Sequence, residues 1–298
     1  MNSSLRAVIS VVDGLDSTLP LSCSAIKQPT EQVPLMFDLV TLEMKGALAL
    51  ITLNRPQQRN AISEGLLREL NDVLDRLPSE TRAIVLAGNG PHFCAGLDLN
   101  EHHGLVRSAV NFMRVCQAWH RVFDRLQYGG IPVVAALHGA VVGGGLELAA
   151  ATQVRIVDPS TYFALPEGTK GIFTGGGATV RVARIVTPGR MVEMMLTGRV
   201  LDAKAGLVLG LAHEISLPGE ASSLAIATAS RIAMNATLCN YAIVTSISRI
   251  GDMSATDGMF AESLMAAVVK TGPEVQARLG TFVDKTLPKV APESRRSA

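Results

Sequence analysis

Two carboxylates and two glycine-bearing stretches carry the residues of this chain that can do chemistry. The first stretch is "AVVGGGLELAAA", residues 140–151, where three consecutive glycines precede Glu147 inside an apolar run. Strand physics disfavours the glycines and burial disfavours the acid, so another demand sets this stretch. If Gly143 to Gly145 close a strand and open a helix, their unshielded N–H groups point outward at the positive end of the helix dipole. Such a turn can hold an oxyanion. Read by themselves, the glycines fit tight helix–strand packing equally well. Glu147 tips the balance toward a ligand, because the dipole supports its charge while apolar neighbours resist its ionisation.

The second carboxylate is Glu167 in "YFALPEGTKG", after a short apolar segment and a proline. By itself it reads as an ordinary surface acid in a turn. Two acids brought to one apolar pocket repel each other's ionisation, so that one is driven neutral while the other stays charged. An acid and a base then stand together. The loop "HFCAGLDL", residues 92–99, supplies a further part. Ala95 and Gly96 let the main chain pass close to a ligand, Asp98 can cap the next turn, and the Leu97 N–H is a second candidate donor. Two amides converging on a thioester carbonyl would stabilise the enolate formed when its α- or β-carbon reacts.

The elements that must position these groups follow from hydrophobic patterning. "ALALITL" (47–53), "RAIVLAG" (82–88) and "VVAALHG" (133–139) read as buried strands, and "VRIVD" (154–158) and "YFALP" (162–166) as further short strands. Between the first two, Ser63 can cap a helix whose apolar face is Leu66, Leu70, Val73, Leu74 and Leu77. A long helical stretch runs to about residue 127. Strands alternating with helices predict parallel βαβ units, with ligands beyond the carboxyl ends of the strands. From about residue 219 the pattern is almost entirely helical. We expect a mobile extension over residues 1–35, a core over 36–218, a helical oligomerisation region over 219–290 and a tail over 291–298.

Composition narrows the partners. The chain has 298 residues, 27 Lys and Arg against 26 Asp and Glu, and 4% aromatics, a balance that argues against nucleic acid or a membrane surface. A small-molecule ligand is expected instead. Cys23, Cys94, Cys116 and Cys239 lack CxxC spacing, which suggests neither a disulfide framework nor a zinc site and fits a reducing, cytoplasmic setting. Asp13 and Asp16 interrupt the early apolar patch "AVISVV" short of a secretory segment, and His138, Glu147 and the glycines disqualify 131–151 as a membrane span. There is no dinucleotide fingerprint, P-loop or nucleophile elbow. His102 and His103, being adjacent, face different ways, and we expect no metal there.

At these residues the chain resembles the crotonase (enoyl-CoA hydratase/isomerase) superfamily, from about residue 37 to 290. The stretches "ITLNRPQQRNAIS", "FCAGLDL", "GAVVGGGLELA" and "LPEGTKGIF" fall in that family's order and at its spacing. The resemblance implies an α/β fold, a ββα spiral core with C-terminal helices that build a homotrimer, or a hexamer as a dimer of trimers. It implies an oxyanion hole from the amides of Leu97 and Gly144, with Glu147 and Glu167 as the two hydratase glutamates. It matches Arg59, Ala61 and Ala95 to the CoA-binding loops, and Phe282 and Lys285 to contacts with a neighbouring subunit's CoA. The implied activity is hydration of a 2-enoyl-CoA, with CoA as part of the substrate and no separate cofactor. An isomerase, a thioester hydrolase or a non-catalytic binding protein is the alternative. Two departures stand out: His138 replaces a common asparagine, and "GIFTGGGAT" replaces a proline–glycine form. The second, with "MMLTGRV", is similar to the branch containing methylthioacryloyl-CoA hydratase.

Overall fold

The computed structural model describes residues 37–283, so the expected extension over 1–35, Lys285 and the tail lie outside the described residues, as does the Phe282 side chain. Nine strands form two sheets among the described residues. β1 (Val40–Lys45) and β2 (Leu48–Leu53) pair antiparallel around Gly46, whose φ of 59° suits the tight reversal. β1 escapes a search for apolar runs because Thr41, Glu43 and Lys45 are exposed on alternate positions, the signature of a half-buried edge.

From β2 onward the sheet is parallel, as the alternation of strands and helices predicts. Helix α1 (Glu64–Asp75) leads to β3 (Ala83–Gly88), and α2 (Leu99–Gly104) and α3 (Ala109–Tyr128) lead to β4 (Val133–Leu137). The Ser63 hydroxyl accepts the Leu66 N–H at 3.1 Å, and Leu66, Leu70 and Val73 are buried. Leu77 lies past the end of α1. The single helical stretch expected up to residue 127 is broken at 105–108, where Ser108 caps α3.

The chain then makes β5 (Ala140–Val142), the short α4 (Gly144–Ala150), β6 (Val154–Val157) and β7 (Tyr162–Ala164). Helices α5 (Ala178–Val186) and α6 (Pro188–Thr197), strand β8 (Val200–Asp202), helix α7 (Ala203–Val208) and strand β9 (Glu214–Ile215) follow. The large sheet has the order β1-β2-β3-β4-β6-β9 and the small one β5-β7-β8. The main core lies where α1, α3, α4 and α5 cover one side of the large sheet.

The opposite side is covered by α8 (Ala221–Ala233). Ala221, Ala225 and Ala229 repeat every fourth residue, and their small side chains bring the helix close against Ala83, Val85, Val134 and Ile156. Beyond it, α9 (Thr237–Ile250), α10 (Ala255–Lys270) and α11 (Pro273–Val283) complete the described chain. Tyr241, Ile243, Ile247, Phe260 and Leu264 on these helices are about half exposed or more.

Candidate active site

The three glycines of the opening stretch do three different things. Gly143 ends β5 with φ 54° and ψ −122°, a conformation that suits glycine alone, and its carbonyl accepts the N–H groups of Leu146 and Glu147. Gly145 lies against the Cys94 carbonyl so closely that a side chain would collide with it. Gly144 stands between them as the first residue of α4, where a helix leaves its N–H without an internal partner. Packing and donor exposure are therefore both answers to the glycine run.

The loop before α2 approaches the same point. Its main chain runs beside Ile62, whose N–H bonds the Gly96 carbonyl at 2.7 Å and whose carbonyl takes the Asp98 N–H at 3.0 Å. These two bonds bracket Leu97. A Cβ built on Gly96 would stand 3.1 Å from the Gly144 nitrogen, and one on Gly144 would stand 3.5 Å from the Leu97 nitrogen. The two amides thus border one gap, and among the described residues no protein hydrogen bond engages either N–H. The loop is fastened by Asp98, which caps α2 through Glu101 N–H and pairs with Arg55 at 3.0 Å.

Leu97, Gly144, Glu147 and Glu167 all line one cavity of about 200 Å³. Glu147 and Glu167 are 3% and 5% exposed, so their carboxyls are nearly cut off from solvent. Glu147 Oε1 accepts two main-chain N–H groups at 2.9 Å, from Gly176 and Ala178 at the start of α5. Burial pushes its carboxyl above the ordinary value, against the pull of those amides and of the Arg181 charge. Glu167 follows β7 at the head of a 3-10 turn (Gly168–Lys170). Its Oε2 is buried with no hydrogen-bond partner. Burial first, and then the Glu147 charge, push Glu167 up to about 7.

Ala95 also lines the cavity, and its N–H bonds the Arg59 carbonyl at 3.0 Å. Arg59, exposed, therefore sits one hydrogen bond behind the cavity wall, and Ala61 follows two residues later, its N–H bonding the Gln58 carbonyl. His138 is elsewhere, its Nε2 2.8 Å from the Gly90 carbonyl. His102 and His103 join no cluster able to hold a metal among the described residues. The apolar walls include Phe112, Val115, Cys116, Trp119 and Phe173, none of which the sequence assigns to the site. Trp119 is the sole tryptophan of the chain and lies on the apolar stripe of α3 with Val115 and Val122. That stripe reads as core. Its ring faces the glycine turn, where a Cβ on Gly144 would come within 2.6 Å of it.

Two unpaired amides beside two buried carboxyls of unequal environment are equipped for proton transfer next to a stabilised oxyanion. A family model for enoyl-CoA hydratase/isomerase matches residues 43–289. The chain belongs to this family, the crotonase superfamily. It is similar to the crystal structure of a candidate enoyl-CoA hydratase from Rhodopseudomonas palustris CGA009, with 43% identity and a TM-score of 0.80. That match covers 83% of this chain and 95% of the other. An enoyl-CoA hydratase from Thermoplasma volcanium GSS1 superimposes with a TM-score of 0.76 at 30% identity, covering 83% and 98% of the two chains. The short-chain-enoyl-CoA hydratase of Clostridium acetobutylicum is 32% identical over 200 residues, 66% of this chain and 76% of that one.

Proposed function

We propose that this hydratase/isomerase-family chain adds water across the double bond of a 2-enoyl-CoA thioester, a hydro-lyase reaction. The observation that carries the reading is the inequality of the two carboxyls on one cavity. Glu147 has two amides to hold its negative charge, whereas Glu167 has a buried oxygen with none. Glu147 is then the proton acceptor and Glu167, protonated, the donor.

In the proposed sequence the thioester carbonyl oxygen takes the N–H groups of Leu97 and Gly144. A water held between the glutamates loses a proton to Glu147 as its oxygen bonds the β-carbon. The electron pair of the double bond moves to give an enolate, whose negative oxygen the two amides stabilise. Glu167 delivers its proton to the α-carbon, and the proton on Glu147 passes to Glu167 by way of solvent to restore the pair. The reaction is redox-neutral and uses only side chains and main chain, with CoA arriving as part of the substrate.

Arg59, Ala61 and Ala95 are assigned to the CoA portion, because they lie on the two loops that meet at the cavity wall. The exposed apolar residues of α9 and α10 support self-assembly, as a homotrimer or a dimer of trimers; contacts with a neighbour's CoA from Phe282 and Lys285 rest on the family resemblance alone. Cys94, Cys116 and Cys239 are free thiols, in keeping with a reducing compartment. No helix of the described residues is long and apolar enough to cross a membrane.

The test is loss of the conjugated enoyl absorbance of crotonyl-CoA, with the product identified by mass spectrometry. Gain of one water supports hydration. A shifted double bond or free CoA would contradict it. Running the same assay over a panel that includes methylthioacryloyl-CoA ranks the acyl groups.

A further inference from the structure

The segment "GIFTGGGAT" closes over Glu147 through three glycines, none of which has room for a side chain. A Cβ on Gly175 would stand 2.8 Å from Cys116 Sγ, and one on Gly176 would stand 2.7 Å from Glu147 Oε2. Gly177 lies at φ 107° with its open side filled by Arg181 Nη1. This turn supplies the two amides that Glu147 accepts. What holds the turn is Arg181, in the second helical turn of α5.

Arg181 is buried, with 6% of its side chain exposed, and all three of its nitrogens are engaged. Nη1 donates to the Gly176 carbonyl at 3.0 Å, Nε to Gln127 Oε1 at 2.6 Å, and Nη2 to Asp124 Oδ1. The last two partners are on α3, so the planar fork ties the turn to the helix that forms the cavity wall. The peptide units of Gly176 are gripped on both sides, by Glu147 at the N–H and by Arg181 at the carbonyl. Of the titratable groups around the Glu147 carboxyl, Glu167 after β7 opposes its charge, and the Cys116 thiol on α3 is held protonated by burial and by Glu147 itself. Lys170 lines the cavity but is exposed. Asp124, with about half of its side chain exposed, pairs with Arg181 on the side of α3.

Resting on the hydration reading, we propose that Arg181 is a positioning residue: through the Gly176 carbonyl it fixes the Gly175–Gly177 turn, and so holds in place the amides that support the Glu147 carboxylate as the proton acceptor. A residue that only braced two helices would alter stability and leave the titration of Glu147 where it was.

In Arg181→Met the acid limb of the kcat/KM profile for crotonyl-CoA should move up by about one pH unit and kcat should fall about tenfold or more, with KM changed far less. Arg181→Lys keeps the charge without the fork, so its limb should stay nearer the parent position while kcat still drops. A second readout is independent of turnover. The infrared band of the protonated Glu147 carboxyl, taken as a difference against Glu147→Gln in a Glu167→Gln background, should show a midpoint raised by Arg181→Met. An unmoved limb and an unmoved midpoint would overturn the proposal. A midpoint that moves in a protein that hydrates nothing supports the hold of Arg181 on Glu147 and overturns the hydration reading. If the Met variant does not fold, the Lys variant decides: parent kcat overturns the proposal, and a loss of kcat with a retained limb supports it.

Discussion

Glu147 and Glu167 line one cavity but differ in hydrogen bonding: Glu147 Oε1 takes two amide protons at 2.9 Å, while Glu167 Oε2 is buried with none. On the proposed hydration, this difference is what separates the acceptor, Glu147, from the donor, Glu167. Burial, with the Glu147 charge, pushes Glu167 up to about 7. If Glu167 must be protonated to act, kcat/KM should fall on the alkaline side with an apparent pKa near the value of about 7 given by its burial. Glu167→Gln should abolish that alkaline limb along with most activity. The two carboxyls titrate as a pair, so the limb reports the pair.

The same burial makes a statement about stability. The folded-state value of Glu167 is raised above the ordinary 4.5, so the folded state binds its proton more tightly than the unfolded chain does. Its contribution is fully present below pH 4.5 and is lost as pH rises through about 7. Glu167→Gln removes the cost of ionising a buried acid. Its thermal midpoint should match the parent near pH 5 and exceed it at pH 8, by the equivalent of about 1–2 kcal/mol after allowance for screening. Melting curves at the two pH values, showing equal offsets, would contradict this.

Each single change, Glu147→Gln and Glu167→Gln, is expected to lower kcat by on the order of a hundredfold or more, since each removes one proton-transfer partner. The double variant should lose much less than the product of the two, because the acids act on one water. Steady-state kinetics of the three proteins check this. Parent-like turnover in either single variant removes that residue from the mechanism.

Much of this site was legible in the sequence for reasons that are local. A glycine run before an acid, a Ser at a helix start and an Asp after Ala-Gly-Leu each express a backbone demand within a few residues. Gly143, Ser63 and Asp98 meet those demands in the structure. Trp119, Cys116 and Arg181 were not legible, because each looks like an ordinary residue of its helix until a distant turn is folded against it. β1 was missed since half of its side chains face solvent, and α8 reads as part of the C-terminal helices although its alanine stripe lies against the large sheet.

Removing the Gly144 N–H tests the amide pair. Proline is tolerated at the first position of a helix, but at 144 its ring would meet Trp119. The comparison is therefore Trp119→Leu/Gly144→Pro against Trp119→Leu alone. The added proline should cost roughly 3 kcal/mol of transition-state stabilisation with circular dichroism unchanged. A folded double variant with the turnover of Trp119→Leu would refute a role for this amide.

Trp119 also offers a direct view of the cavity. As the sole tryptophan, it should change its emission when an acyl-CoA product analogue binds, and an analogue lacking the acyl group should change it far less. Identical responses to both would place the acyl group elsewhere.

The central assignment, water addition steered by two carboxyls and two amides, is tested most directly by turning over crotonyl-CoA in water enriched in heavy oxygen and deuterium. Hydration places one heavy oxygen on the β-carbon and one deuterium on the α-carbon of an intact thioester, in a product whose yield collapses in Glu147→Gln and Glu167→Gln. Free CoA, a migrated double bond, or label incorporated equally by the two variants would contradict it.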